Sequence, residues 1–214
     1  IEMNLRNNYW CFESVLPHHI CDAIIRYALT KKDQTALTGG TKNFKNLNNQ
    51  QQRDLFKHRN SKLVWLNDPW VYRYIMPFVN KANINANWNF QFDCQEQCQF
   101  TKYGQGQFYD WHCDSFEVPY GEDNDKKMDD SFKGKIRKLS VTVSLSDPNS
   151  YRGGELEFAY SSSPEIRPTV QECKQVLPKG SIGVFPSFIY HRVKPVTEGT
   201  RYSLVIWSCG KPFV

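Results

Sequence analysis

The sequence of 214 residues lacks several features that would place it in a broad structural class. Its longest apolar stretches, near residues 181–190 and 202–207, are far shorter than the ~20 residues that a membrane-spanning helix needs. Glycine and proline, at 12 and 11 residues, are too few for a collagen-like or linker-dominated chain. The net charge of +5 falls well short of the clustered positive charge of an obligate nucleic-acid binder. What is present, 40% apolar and 14% aromatic residues, is enough for a real hydrophobic core.

The seven cysteines do not have the pattern of a disulfide-rich protein. Their number is odd, their spacing is irregular, and the chain is too long to depend on covalent bridges. Cys94 and Cys98 form a single C-x3-C pair with no second pair and no nearby histidine, which argues against a zinc site. Residues 1–4 show neither a signal-peptide pattern nor an initiator methionine, so we expect a few residues to precede them. These features predict reduced thiols in a cytoplasmic protein.

Residues 1–86 carry the helical signals of the sequence. A short strand over 9–15 is expected to precede a helix over 17–31, which has a proline in its first turn. A second helix begins at Asp68, which can serve as N-cap and is followed by another proline. Pro77 should kink or split that helix because it lacks a backbone N–H.

The segment between these helices, residues 32–60, is polar and rich in Asn and Gln, which predicts a loop with one short helix. It contains His58, which belongs to no motif and is assigned no function. His18 and His19 lie in the first turn of the first helix and are expected to face solvent.

From about residue 87 the pattern changes to short alternating, aromatic and β-branched segments. Many such strands with turn signals between them indicate a barrel or a two-sheet sandwich. No repeat or linker interrupts the chain, so we expect one domain over 1–214. The predicted strands are 88–93, 97–103, 108–114, 136–145, 154–159, 169–177, 181–185, 189–195 and 200–208.

Two histidines and one aspartate could share a metal ion. His112 and Asp114 are two positions apart, so in a strand they point to the same face, roughly 7 Å from each other. Cys113 points to the other face. A later strand carries His191. Two histidines and one carboxylate that leave coordination positions open form the facial triad of non-haem Fe(II) oxygenases.

An arginine follows in the last predicted strand. Arg201 and Ser203 share one face of that strand. A guanidinium inside a barrel needs an anionic partner, because an unpaired buried charge is costly. A dicarboxylate bound to the iron at one end would supply this partner through a bidentate pair.

Several motifs together resemble 2-oxoglutarate/Fe(II)-dependent dioxygenases of the prolyl 4-hydroxylase-like branch. Residues 103–114, YGQGQFYDWHCD, fit the branch pattern Y-x-x-G-Q-x-Y-x-x-H-x-D. Four other segments also resemble the family: the strand over 137–145, the G-G-E turn at Gly153, the run from His191 to Trp207, and the start at Tyr9, Trp10 and Phe12. The resemblance covers most of the chain and is strongest over 100–208.

The resemblance implies an α+β, mainly β fold: a double-stranded β-helix (jelly-roll) core over about 87–214, supported by N-terminal packing helices over about 1–86. It implies an enzyme that decarboxylates 2-oxoglutarate to succinate and CO2 and hydroxylates a C–H bond, with ascorbate as a reductant. A prolyl residue of a peptide or protein is the substrate that the branch favours. The oligomeric state is not indicated.

The resemblance also assigns roles to individual residues. His112, Asp114 and His191 would bind Fe(II). Arg201 would pair with the C5 carboxylate of 2-oxoglutarate, Tyr103 would add a hydrogen bond, and Ser203 would lie beside them. Tyr109 and Trp207 would line the catalytic pocket near the iron, although simple strand alternation places Tyr109 on the face opposite His112.

Two positions depart from the commonest family pattern. Many relatives have Lys where Arg201 stands, and Arg indicates the bacterial, phage and oxygen-sensing side of the group. The cytoplasm would then be that of a bacterial or phage-infected cell, with another intracellular location as the alternative. Ser144 replaces a larger polar residue, which leaves room for a water or a different pocket shape.

Other functions stay open at this point. The same chemistry could act on a free amino acid or on a nucleic-acid base, although base-repairing dioxygenases carry a second Arg where this chain has Trp207. A zinc-dependent enzyme or a non-catalytic metal-binding jelly-roll module is the remaining alternative, and so is an interaction protein that has lost activity.

The segment over 115–134 is rich in both acidic and basic residues and directly follows Asp114. Loops of about 20 residues beside a metal site are often functional lids. We therefore expect a lid that closes on a peptide, with Phe116 and Tyr120 covering the bound side chain, and with too few apolar residues for a firm anchor.

Overall fold

A computed structural model of the chain describes residues 5–36, 47–115, 118–121, 129–161 and 167–213. These residues form three α-helices, α1 (His18–Leu29), α2 (Asn49–His58) and α3 (Pro69–Asn85). Fifteen strands accompany them: β1 (Trp10–Phe12), β2 (Gln34–Thr35), β3 (Arg59–Asn60), β4 (Lys62–Leu66), β5 (Cys94–Gln95), β6 (Cys98–Tyr103), β7 (Phe108–His112), β8 (Ile136–Ser144), β9 (Tyr151–Gly153), β10 (Leu156–Tyr160), β11 (Thr169–Glu172), β12 (Ile182–Pro186), β13 (Tyr190–Val193), β14 (Val196–Gly199) and β15 (Arg201–Gly210).

The strands form two main antiparallel sheets. The larger sheet has the order β1-β12-β8-β15-β6-β4-β2, with β5 paired to β15, and the smaller sheet has the order β11-β10-β13-β7-β3. A separate pair joins β14 to β9. From β6 onward the chain crosses repeatedly between the two sheets, so residues far apart in sequence become neighbours in each sheet. This is the arrangement expected of a jelly roll.

Two hydrophobic clusters define three layers. The larger cluster packs α1 and α3 against one face of the larger sheet. The smaller cluster lies between the two sheets and includes Tyr103 and Phe185 from the larger sheet with Phe158 and Val193 from the smaller. The helices therefore support the larger sheet from behind, as predicted for the N-terminal part of the chain.

The helix α3 runs unbroken through Pro77, so the predicted split does not occur. The proline removes one hydrogen bond, to the carbonyl of Arg73. Four apolar side chains of this helix are nevertheless fully buried against the sheet, and that burial outweighs the lost bond: Val71, Ile75, Val79 and Ala82.

The predicted short helix between α1 and α3 is present as α2. Its N-terminus has a capping box, in which Asn48 accepts from the backbone of Gln51 and the Gln51 side chain accepts in return. Among the described residues, no helix is both long and apolar enough to cross a membrane.

The prediction of a strand over 88–93 is wrong, because these residues form no strand. Asn87 and Asn89 adopt positive φ angles of 60° and 53°, which interrupt an extended chain. The Asn83 side chain holds this turn by accepting from the backbone N–H of Phe90 and donating to its carbonyl. Apolar alternation alone does not show that asparagine is providing a turn here.

The inward face of the larger sheet is unusually polar. In β15, Leu204 and Ile206 pack towards the helices, so by alternation Arg201 and Ser203 point towards the smaller sheet. The same alternation turns several other buried polar side chains inward: Gln99, Thr101, Ser140, Thr142 and Ser144. An interior lined with hydroxyls and a guanidinium suits a polar ligand better than an apolar one.

Candidate active site

The smaller sheet brings His112, Asp114 and His191 together. The strands β7 and β13 are neighbours, and His112 is directly opposite His191 in their register. The Nε2 atom of His112 lies 3.8 Å from Asp114 Oδ1, and that of His191 lies 3.6 Å from Asp114 Oδ2. All three candidate ligand atoms lie within 4.8 Å of one another. Three donors this close, in a site nearly closed to solvent, can hold one metal ion.

Backbone carbonyls fix the tautomers of both histidines. His112 Nδ1 is 2.7 Å from the carbonyl of Asp110, and His191 Nδ1 is 3.0 Å from that of Ile189. Because a carbonyl can only accept, each Nδ1 carries the proton and each Nε2 presents a lone pair to the site. Burial and the neighbouring His191 lower the pKa of His112 to about 3, so this imidazole is neutral at pH 7.

Asp114 is held as a carboxylate. Burial alone would raise its pKa, but the nearby His191, His112 and Arg137 outweigh burial and lower the pKa to about 2. Ser140 donates to Asp114 Oδ2 at 2.7 Å, and Ser187 lies 2.9 Å from the Ser140 hydroxyl. Since the single Ser140 proton goes to Asp114, Ser187 donates to Ser140. Two hydroxyls thus orient the carboxylate.

Tyr109 lies beside the metal site, although simple alternation predicts the opposite face. Its ring stacks on His112 with centroids 3.5 Å apart and an interplanar angle of 13°. The register of β7 against β13 shifts between His191 and Val193, where the partner of Val193 is Tyr109. This irregularity changes the side on which Tyr109 emerges. The prediction from alternation is therefore wrong, and the placement agrees with the family resemblance.

Trp207 forms another wall of the site. Its indole N–H is buried without a hydrogen-bond partner among the described residues, and it lies close enough to Asp114 to lower the pKa of that carboxyl. Arg137 stacks over the ring with its Cζ atom 3.8 Å from the ring centroid. The Arg137 guanidinium donates two bonds of 2.6 Å to Glu96, which fixes it. The Glu96–Arg137 pair thus fixes the position of the Trp207 indole.

Arg201 is buried deep between the sheets with 4% of its surface exposed. Its Nη1 donates to Ser203 Oγ at 3.3 Å, and no carboxylate among the described residues reaches its guanidinium. Tyr103, directly opposite Arg201 in the register of β15 with β6, lies 5.6 Å away measured from ring centroid to Cζ. Burial raises the pKa of Tyr103, so its hydroxyl stays protonated and can donate.

Gly154 makes room for Arg201, which sequence reasoning missed. A Cβ atom at this position would lie 2.9 Å from Arg201 Cδ and 3.0 Å from Val196 Cγ2, and the φ angle of +70° disfavours other residues as well. The G-G-E motif is therefore more than a turn, because it lets the guanidinium enter the interior.

Arg59 and His58 are the other site residues that the sequence did not indicate. Arg59 pairs with Tyr109 in the register of β3 with β7, and its Cζ lies 4.3 Å from the Tyr109 ring centroid. Its Nε donates to Ser61, whereas Nη2 is buried with no partner among the described residues. The His58 ring is 6.4 Å from that of His112. Only the pairing of β3 with β7 brings these residues to the site.

These residues fit an Fe(II) ion and a bound dicarboxylate. Two imidazoles and one carboxylate, each oriented by an outer hydrogen bond, match the donor set of the facial triad. The buried Arg201 without a protein carboxylate matches the need for an external anion.

The comparison with known families agrees with this geometry. The sequence pattern of the 2OG-Fe(II) oxygenase superfamily matches residues 98–209, which include the triad and Arg201. The chain belongs to this superfamily. Its members use Fe(II) and 2-oxoglutarate, and this oxygenase presents residues suited to both.

Curated relatives are PKHD-type hydroxylases. One from Prochlorococcus marinus is 34% identical over 109 residues, which is 50% of this chain and 39% of the relative. One from Hyphomonas neptunium is 37% identical over 106 residues, which is 49% of this chain and 38% of the relative. The matched part of the oxygenase thus spans about two fifths of the length of these relatives.

Solved structures confirm the predicted jelly-roll fold. The viral collagen prolyl hydroxylase from Paramecium bursaria Chlorella virus-1 matches with a TM-score of 0.60 and 18% identity, covering 96% of this chain and 97% of that one. A Pseudomonas putida prolyl-4-hydroxylase matches with a TM-score of 0.63 and 17% identity, covering 97% and 95%. At this identity the likeness establishes the fold alone.

The segment after Asp114 is anchored more firmly than expected. Tyr120 is buried, and its hydroxyl donates to Glu96 Oε1 at 2.6 Å, so in this structure its side chain is held against the protein. Tyr120 and Lys135 also share a backbone hydrogen bond. Phe116 and residues 122–128 lie outside the described residues, and the idea of a lid stays a prediction.

Removing the hydroxyl that orients Asp114 should weaken metal binding by the oxygenase. In Ser140→Ala the carboxylate loses the hydroxyl that donates to it at 2.7 Å, and outer-shell partners typically contribute roughly 10–100-fold in metal affinity. The measurement is the Fe(II) dissociation constant, obtained by anaerobic calorimetric titration.

Ser144→Ala is the matched control, since this buried serine of the same strand donates to the Val176 carbonyl instead. Equal iron affinity in Ser140→Ala and the parent protein would contradict the orienting role.

Proposed function

We propose that the protein is an Fe(II)- and 2-oxoglutarate-dependent hydroxylase that acts on prolyl residues of a peptide or protein, with release of succinate and CO2. The observation that carries the proposal is that the candidate metal ligands and a buried arginine suited to the co-substrate carboxylate face the same interior. The triad presents two Nε2 lone pairs and a carboxylate, and the buried Arg201 faces the same interior without a carboxylate partner among the described residues.

The residues of the chain have separate tasks in this reaction. Fe(II) bound with 2-oxoglutarate supplies the oxidation of an unactivated C–H bond. His112, Asp114 and His191 would hold the metal, and Arg201 would bind the far carboxylate of 2-oxoglutarate through charge-assisted hydrogen bonds. Tyr103 can donate a further hydrogen bond, since burial keeps its hydroxyl protonated.

The walls of the site would exclude water and orient the substrate. Tyr109 stacks on one ligand, and Trp207 directs its unpaired N–H towards another. Both rings are buried or nearly so, and both are backed by a guanidinium, Arg59 behind Tyr109 and Arg137 behind Trp207. Rigid aromatic walls limit the positions that a bound side chain can adopt near the metal.

The prolyl substrate is supported by the proteins that this chain resembles. Besides the viral and Pseudomonas putida enzymes, a Trichoplax adhaerens prolyl hydroxylase, solved with a hypoxia inducible factor peptide fragment, matches with a TM-score of 0.63 and 15% identity. All three are prolyl hydroxylases by name. We place the enzyme in the reducing cytoplasm, because the odd number and irregular spacing of its seven cysteines are typical of reduced thiols.

A free amino acid is a second candidate substrate, and Arg59 is the observation that favours it. A buried guanidinium nitrogen without a partner is costly, and a ligand carboxylate would satisfy it. The main chain of a peptide offers only carbonyls to the same group. The two substrates therefore predict different effects of Arg59→Gln, which removes the charge and keeps a donor: a mild loss for a peptide and a severe loss for an amino acid.

The test is a screen of proline-containing peptides and of free proline with Fe(II), 2-oxoglutarate, ascorbate and oxygen, read by mass spectrometry. We expect at least one peptide to gain the mass of one oxygen, with succinate formed in equal amount. His191→Ala should show neither product. Succinate formation that no peptide stimulates would contradict the prolyl peptide assignment, and hydroxylated free proline would favour the second candidate.

A further inference from the structure

The outer face of the smaller sheet carries an apolar groove that the chemistry at the metal site does not use. Its volume is about 520 Å³, within the range of sites that bind ligands. Trp111 and Tyr190 contribute to its lining, and each directly precedes a predicted metal ligand in sequence. Because neighbours in a strand point to opposite faces, the groove lies on the reverse side of the strands that carry His112 and His191.

The groove exists because one lining residue, Ala159, has a small side chain. Val170, Ala159 and Tyr190 form a row across β11, β10 and β13, since Ala159 is opposite Val170 on one side and Tyr190 on the other. Alanine between two larger residues leaves a trough with Ala159 as its floor. Tyr190 and Val170 are 54% and 53% exposed, so their apolar surfaces face solvent.

The aromatic walls are held in place by polar partners. Arg192 lies over the Trp111 ring at 4.6 Å, and Glu157 fixes Arg192 with an ion pair of 2.7 Å. The Tyr160 hydroxyl donates to the Gln171 side chain. The Tyr160 hydroxyl is thus engaged within the protein, and the Trp111 ring is held on one face by Arg192. Walls that are already fixed lose little conformational entropy when a ligand binds.

The charge of the groove restricts its occupant. Of the described residues that line it, Arg167 is the only charged one, and no carboxylate among the described residues pairs with it. The other lining residues are aromatic, aliphatic, proline or serine. An apolar segment with one acidic residue would complement this pattern, because the carboxylate could pair with Arg167 at the rim.

We infer that this groove binds a proline-rich segment with an acidic residue, in the extended polyproline II conformation, as a docking site separate from the metal centre. Pyrrolidine rings pack on the faces of Trp and Tyr side chains, and a proline-rich segment needs little ordering because each ring already fixes φ near the polyproline II value. The inference extends the proposed function, since such a segment would be a second part of the polypeptide that supplies the target residue. Binding at the groove itself does not require turnover.

The first test measures binding directly, without iron, 2-oxoglutarate or oxygen. The probe is a fluorescein-labelled peptide of eight prolines interrupted by one glutamate, titrated with the full chain and read by fluorescence anisotropy. We expect saturable binding, weakened about tenfold or more in Tyr190→Ala. Tyr74→Ala is the matched control, because Tyr74 is also an exposed tyrosine but lies on α3.

A charge exchange identifies the acidic contact. In Arg167→Glu the glutamate peptide should lose affinity, and a peptide with lysine in place of the glutamate should regain it. Absence of binding to the parent chain, or equal binding by the parent and Tyr190→Ala, would overturn the inference. A dimer of the parent chain that Tyr190→Ala dissociates would assign the groove to a second copy and would also overturn it.

The second test separates this inference from the proposed function. If a prolyl peptide is hydroxylated, attaching the proline-rich segment through a flexible linker should lower its KM about tenfold in the parent enzyme. The same extension should have no effect in Tyr190→Ala, and kcat should not change in either protein. If no peptide is hydroxylated, the proposed function fails while the anisotropy result still decides the groove.

Discussion

Replacing Asp114 by alanine should abolish both 2-oxoglutarate decarboxylation and hydroxylation while leaving the fold intact. The carboxylate is the only anionic donor of the three candidate ligands, and it lies within 3.8 Å of both Nε2 atoms. Its loss should exceed the roughly 10–100-fold effect of an outer-shell partner and remove Fe(II) binding from the accessible range. The measurements are iron content after anaerobic loading, succinate formation and the circular dichroism spectrum.

His112→Ala and His191→Ala should behave in the same way. The control is His19→Ala, because His19 is an exposed histidine in the first turn of α1. A purified Asp114→Ala protein that decarboxylated 2-oxoglutarate at nearly the parent rate would show that the triad is not the metal site. Loss of the native spectrum in Asp114→Ala would call for Asp114→Asn, which keeps the shape and a bond to Ser140.

Replacing Arg201 by alanine should raise the 2-oxoglutarate requirement by orders of magnitude and leave Fe(II) binding largely unchanged. Truncating one member of a buried charge pair costs ~2–5 kcal/mol, which corresponds to at least about a 30-fold weaker interaction. Arg201 lies on β15 of the larger sheet, whereas the histidine ligands lie on β7 and β13 of the smaller one. The two functions are therefore separable by mutation.

The measurement is the KM for 2-oxoglutarate, together with a separate anaerobic iron titration. Arg201→Lys should have a smaller effect, because the charge is retained while the fork geometry is lost. Arg152→Ala serves as a control, since this exposed arginine contacts the Tyr151 carbonyl rather than the interior. An unchanged 2-oxoglutarate dependence in Arg201→Ala would exclude the proposed role.

The residue types of the candidate ligands were predictable, but the reason for their placement was only partly local. The predicted strand over 108–114 ends at His112, and Asp114 lies just beyond it, where its backbone N–H donates to the Ser187 carbonyl at 2.8 Å. His191 had to come from another strand, and the sequence contained a suitable one, but only the antiparallel pairing of β7 with β13 places it opposite His112. The sequence therefore identified the types of the ligand residues. That the three residues meet at one site was a prediction from the family resemblance.

The errors have specific causes. Strand alternation failed for Tyr109 because a register shift interrupts the pairing of β7 with β13. It failed over 88–93 because two asparagines adopt positive φ angles within an apolar pattern. A helix-breaking rule failed at Pro77 because the burial of α3 against the larger sheet outweighs one lost hydrogen bond. For Tyr109 and Pro77 a tertiary contact outweighed a local preference, whereas over 88–93 one local signal outweighed another.

The sequence by itself determined the mainly β character of the C-terminal part, the N-terminal helices, the H-x-D pair and the presence of a buried arginine without an obvious partner. These follow from periodicity and side-chain chemistry, which act over a few residues. Only the tertiary structure decided that Arg59 and His58 approach the metal site, that Gly154 clears the path of Arg201, and that Trp111 and Tyr190 share a groove. These depend on which strands become neighbours, and that choice is set by burial and hydrogen bonding between segments far apart in the chain, which no local pattern records.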